Sequence, residues 1–175
     1  MRSFYMEIEK KFLLNKLPEN LSAFEHHKLI QAYISAHPTV RIRKWDDQYL
    51  FTFKEHNARS GHGDVCINEE HEFNISQESF EALLKKTEGN IVEKTRYVIP
   101  LHDGKGDCGH RAEIDIFEGR LKGLMFAEVE FKDEADADNF KKPDFLGKNV
   151  SGDRRFTNTY LAATEQPDIE ALMNA

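Results

Sequence analysis

Cysteine is scarce: only Cys66 and Cys108 occur in a chain of 175 residues. Their spacing suits neither a metal knuckle nor a redox pair, which points to a reduced, cytoplasmic protein. No apolar run approaches the roughly 20 residues a membrane-crossing helix needs, and no hydrophobic leader opens the sequence, so no membrane partner is expected. The eight histidines are scattered, and the HExxH spacing of a zinc hydrolase is missing. An excess of basic residues is missing too. A net charge of -7 excludes a general nucleic-acid binder, although an acidic exterior can still enclose a local cationic pocket. There is no internal repeat, low-complexity tract or linker, so residues 1–175 read as one domain. No oligomer signal is legible, and a homodimer stays open.

What the chain does have is alternation. Thirteen Phe and 39% hydrophobic residues are enough for a core, and their period of two predicts strands. The segments are Phe4–Leu14, His27–Ser35, Thr39–Trp45, Gln48–Glu55, Glu69–Ile75, Ile91–Leu101, His110–Phe117 and Leu124–Lys132. Asp46-Asp47 and Gly119–Gly123 read as turns, and the short connections favour antiparallel pairing. Helices are fewer. One starts at Ser76, an N-cap ahead of Phe80, Leu83 and Leu84. Others are expected in Asn15–Glu25, Glu134–Phe140 and Asp153–Thr164, while His56–Val65 reads as a mobile loop.

The two faces of these strands differ in kind. Glu7, Glu9 and Lys11 oppose Met6, Ile8 and Phe12; Arg41 and Arg43 oppose Val40 and Ile42; Thr52 and Lys54 oppose Phe51 and Phe53. Glu70 and Glu72, Lys94 and Arg96, Glu113 and Asp115, and Glu128 and Glu130 repeat the split. A solvated sheet face is the ordinary explanation, but such faces usually mix in Ser, Thr, Asn and Gln. Eight antiparallel strands can instead close into a barrel, turning the charged face into a lumen and leaving the apolar face to a few helices. Two like charges about 6 Å apart repel by roughly 3 kcal/mol at an effective dielectric near 20. Several such pairs point to an anion occupying the space. Arg and Lys bind phosphate oxygens, and clustered carboxylates bind hard cations that bridge to the same phosphates.

These residues resemble the CYTH superfamily, the triphosphate tunnel metalloenzymes, and specifically its small bacterial tripolyphosphatase-like members. Glu7-Ile8-Glu9-Lys10-Lys11 matches the E-x-E-x-K signature. Arg41-x-Arg43, Lys54, Glu70-x-Glu72, Lys94-x-Arg96, the block Glu113–Leu124 and Glu128-x-Glu130 follow in the family's order, and Asp153–Asn158 resembles its D-x-R-[YF]-x-N motif. Phe156 stands where Tyr is more usual. The resemblance spans nearly the whole chain and implies a closed eight-stranded antiparallel tunnel, mainly β within an α+β class. It implies metal binding by Glu7, Glu9, Glu128 and Glu130. It implies phosphate binding by Lys11, Arg41, Arg43, Lys54, Lys94, Arg96 and Arg155. Glu70, Glu72, Glu113, Asp115 and Asp153 are expected either to bind metal or to hold neighbouring cations in place. Tyr33, in Gln31-Ala32-Tyr33, falls on a Q-[GA]-Y pattern and is a candidate for orienting the attacking water.

The expected activity is hydrolysis of inorganic tripolyphosphate with Mg²⁺ or Mn²⁺, as two ions acting with Glu7, Glu9, Lys11, Arg43 and Tyr33. A class IV adenylate cyclase and a nucleoside or thiamine triphosphatase keep the same fold with another acceptor or substrate. A non-catalytic polyphosphate-binding module is the alternative of another class, disfavoured because a pure anion binder gains nothing from four extra carboxylates.

Overall fold

The computed structural model describes the backbone of residues 3–55, 66–102 and 107–175, and within these the side chains of residues 8–54, 70–102 and 109–175. Among the described residues nine strands form: β1 (Ser3–Leu14), β2 (Glu25–Ser35), β3 (Thr39–Trp45), β4 (Gln48–Glu55), β5 (Cys66–Asn74), β6 (Glu88–His102), β7 (Asp107–Phe117), β8 (Met125–Phe131) and β9 (Leu146–Asn149). All pair antiparallel, in the order β5-β4-β3-β2-β6-β7-β8-β1-β9, with a further pairing of β5 to β1. The expected mobile loop His56–Val65 lies outside the described residues.

This corrects the expectation of a closed eight-stranded barrel. The sheet has nine strands, and its end strands β5 and β9 are not neighbours in it. On the edge away from β8, β1 meets β5 through Ser3–Glu9 and β9 through Phe12 and Leu14. No single strand closes that edge. The physical reason is a late return of the chain: Leu146–Asn149 has only four residues, too few to show a period.

The helices are also corrected in part. Asn15–Glu25 yields only a 3₁₀ turn at Leu21–Ala23, entered through Asn20 in a left-handed conformation (φ 54°) that a continuing helix cannot contain. The expected helix Asp153–Thr164 splits in two. Asp153 caps a 3₁₀ turn at Arg154–Phe156, and extended Thr157 then caps α3 (Asn158–Ala163) by accepting from the Tyr160 amide. Helix α1 (Gln77–Leu84) begins at Ser76 as expected, and α2 (Glu134–Asn139) begins at Asp133. Of these, α1 packs Phe80 on Ala32 and Ile42 of the apolar sheet face, while Ala137 of α2 joins Phe12, Ile114 and Val129 there.

The other face is not charged along its whole length. By strand alternation, Leu13, Tyr33, Val92, Phe117 and Phe126 share the face of Lys11, Gln31, Lys94, Asp115 and Glu128. They pack with Phe156, Leu161 and Leu172 into an apolar cluster. The C-terminal segment therefore closes one end of the charged face with a hydrophobic floor. Gly89 allows the approach: its φ is 75°, and a Cβ there would lie 2.7 Å from the carbonyl oxygen of Ala162 in α3.

Candidate active site

A cavity of about 330 Å³ opens above this floor. Its walls come from β1, β3 to β8 and the start of α3, with Tyr33 of β2 added. Strand register explains why. Glu9 lies directly opposite Glu130, and Lys11 directly opposite Glu128, so the two strands present four charged side chains on one face. Lys11 Nζ donates to Glu9 Oε1 at 2.9 Å and also to Glu128. Burial pulls the Lys11 ammonium pKa down, but the attraction of Glu128 and Glu9 outweighs it and raises the value well above the usual range. Burial pushes Glu128 up, but the charges of Lys11 and Arg96 outweigh it and hold Glu128 well below the ordinary carboxylate range.

Arg96 binds Asp115 through two parallel bonds, Nε to Oδ1 and Nη2 to Oδ2, both 2.7 Å. It also reaches Glu113 and Glu128. Lys94 lies beneath, against Asp115, and is almost completely buried. Burial lowers its pKa to about 8, although Asp115 pulls the other way. Burial raises Glu113, helped by the negative charges of Glu128 and Asp115. Across the cavity, Arg41 Nη2 donates to Glu70 Oε1 at 2.9 Å, Lys54 Nζ sits 3.4 Å from Glu70 Oε2, and Thr52 donates to Glu72 at 2.9 Å. Glu70, Glu113 and Asp115 thus each accept a hydrogen bond from an Arg or Lys, and Glu72 lies 3.9 Å from Arg41 and 4.0 Å from Arg43.

Arg43 differs. Among the described residues its nearest carboxylate oxygen, on Glu72, is 4.0 Å away, and its Nε is buried with no hydrogen-bond partner. Burial and the charges of Arg41 and Arg96 lower its pKa. Tyr33, also buried, accepts from Gln31 Nε2 at 2.9 Å, and burial raises its phenol so that it stays protonated.

Most of the anticipated residues line the cavity; among the described side chains Lys94, Asp115, Asp153 and Arg155 do not. The side chain of Glu7 lies outside the described residues, though its backbone belongs to β1. Lys94 is underneath the cavity wall, not on it. Arg155 is exposed and forms an ion pair with Asp153 at 2.6 Å, so neither residue reaches the cavity. Their motif contributes through Thr157 and Asn158 instead, and the Asn158 Oδ1 is buried without a partner. Sequence reasoning also missed Trp45, although it continues the Arg41, Arg43 alternation.

Among the described residues no three carboxylates or other ligands are already gathered for a metal, and Lys11 stands between Glu9 and Glu128. The donor set still fits a hard divalent cation, which takes carboxylate oxygens. Glu9 and Glu130 are directly opposed like charges, an unfavourable pairing that a cation relieves.

Residues 6–141 match the CYTH domain. The chain belongs to the CYTH family. An inorganic triphosphatase of Nitrosomonas europaea is 37% identical over 162 residues, covering 89% of this chain and 96% of that protein. One from Acetivibrio thermocellus is 31% identical over 156 residues, covering 89% and 92%. A crystal structure of an inorganic triphosphatase superposes with a TM-score of 0.65 at 33% identity, covering 92% of this CYTH chain and 97% of the other. No helix among the described residues is long and apolar enough to cross a membrane. The CYTH match stops short of Phe156 and α3, so the C-terminal part of the cavity floor lies beyond it.

Proposed function

We propose that this CYTH chain hydrolyses inorganic tripolyphosphate to pyrophosphate and phosphate, with Mg²⁺ or Mn²⁺ as cofactor. The observation that carries the reading is the convergence of Lys11, Arg41, Arg43, Lys54 and Arg96 on one cavity. Relatives named inorganic triphosphatases, similar over nearly their whole length, support it. Strands β1 and β3 to β8 act as the wall of that site, supported by their side chains lining one cavity.

Glu9, Glu128 and Glu130, with Glu7 beside them in sequence, are the residues that would hold the metal. When bound, the cation supplies neutralisation of phosphate oxygens and a more acidic water. The remaining chemistry belongs to the side chains. Arg41, Arg43 and Lys54 hold the phosphate chain from one wall, and Lys11 and Arg96 from the other. Held in place before substrate arrives, they stabilise charge on the leaving pyrophosphate with little reorganisation. Tyr33, kept neutral and held by Gln31, offers a hydroxyl that orients the attacking water toward a terminal phosphorus. Water attack forms the new P–O bond as the bridging P–O bond breaks; pyrophosphate carries away the electron pair, and the water's protons pass to the released phosphates and to solvent.

The test is a panel of tripolyphosphate, pyrophosphate, ATP and thiamine triphosphate with Mg²⁺ or Mn²⁺. Phosphate release from tripolyphosphate is expected to dominate. Arg43→Ala and Lys11→Ala should each lower kcat/KM by at least tenfold, the loss of a charge-assisted hydrogen bond of roughly 1.5–3 kcal/mol. Wild-type turnover in either variant sinks the site assignment, and cyclic AMP formation from ATP sinks the reaction.

A further inference from the structure

Arg43 is the cavity cation that the described carboxylates hold least, yet it is not left without support. Its guanidinium carbon lies 5.7 Å from the ring centre of Trp45, two residues along β3 on the same face. Trp45 is itself backed by His27, whose ring centre is 5.0 Å away. His27 is fixed in turn by Asp46 at 2.7 Å and Glu25 at 3.2 Å.

We infer that Trp45 is a positioning residue, an aromatic platform that orients Arg43 for phosphate without neutralising it. The chemistry separates the two ways of holding a guanidinium. A carboxylate orients it but competes with phosphate for its N–H groups, as Glu70 does at Arg41. An aromatic face attracts the cation through its quadrupole and leaves the N–H edge open. The buried, unpartnered Nε of Arg43 is the edge so left. Trp45 also lines the cavity, so the platform and the cation share one wall. Arg43 is then the position at which incoming phosphate replaces no internal partner.

This inference rests on the proposed tripolyphosphate site, and its test separates the two. Tripolyphosphate binding is measured by calorimetry in EDTA, where no turnover is needed, and steady-state kinetics are measured with Mg²⁺. Trp45→Leu keeps an apolar side chain but removes the ring; Trp45→Phe keeps a ring. Trp45→Leu should weaken binding and raise KM by about 3- to 10-fold with kcat within about twofold. Trp45→Phe should stay within about threefold of the wild type, and the thermal midpoints of both variants should match. Trp45 is the sole tryptophan. Tripolyphosphate should therefore change intrinsic fluorescence saturably in the wild type and not in Arg43→Gln. Equal binding by the Leu and Phe variants overturns the inference, as does an equal loss in both accompanied by a lower melting temperature. A wild type that binds tripolyphosphate without cleaving it refutes the hydrolytic reading alone; one that does not bind it refutes both.

Discussion

At Lys94 three facts meet that no single residue type predicts. Its neighbours Asp115 and Arg96 carry opposite charges, and nearly all of its surface is buried. Burial dominates and brings the ammonium pKa to about 8. The cation is therefore present below pH 8 and is lost as pH rises through that value, whereas in the unfolded chain it persists to about 10.5. Between these values the unfolded chain binds more protons, so the contribution of Lys94 to stability grows with pH over that window. Anion binding should move the opposite way. Tripolyphosphate affinity measured by calorimetry is expected to fall across pH 7 to 9 with a midpoint near 8. Lys94→Arg, which keeps its charge, should remove that step. An unchanged step in the variant would assign it to the ligand's own titration.

Among the elements, the strands were legible because alternation survives any tertiary arrangement. Thr39–Trp45 and Gln48–Glu55 have the same bounds in sequence and structure. The C-terminal helix was less so. Its apolar positions Phe156 and Leu161 were visible, but the break between them comes from Thr157, which adopts extended geometry to cap α3. That break lets Phe156 turn under the sheet, where it meets Phe126 edge-on at 5.9 Å between ring centres. Phe156 is fully buried. Phe156→Ala should cost about 3–5 kcal/mol of unfolding free energy, read from denaturant melts. A loss below 1 kcal/mol would mean that the floor does not anchor the C-terminal segment.

For the whole molecule, the cavity is a concentration of buried charges of both signs held by mutual pairing. Such clusters contribute little net stability, because each ion pair must offset the desolvation of its partners. An anion bound only by the folded state adds stability by mass action, about 2.7 kcal/mol at a hundredfold excess over Kd. Tripolyphosphate in EDTA should therefore raise the melting temperature of the wild type, and raise it less in Arg43→Gln. Equal rises would place the anion elsewhere.

The chain alone determined which residues share a strand face, because side-chain alternation is a local consequence of extended backbone. From it came the charged wall: Glu9, Lys11, Arg41, Arg43, Arg96 and Glu128. The CYTH motifs ordered these residues but left the partners of Glu70, Glu72, Glu113 and Asp115 undecided. Only tertiary structure chose those partners, the apolar floor under Phe156, the diversion of Asp153 and Arg155 to the surface, and the Trp45 platform. Each depends on register between strands distant in sequence and on burial, which set how strongly neighbouring charges interact.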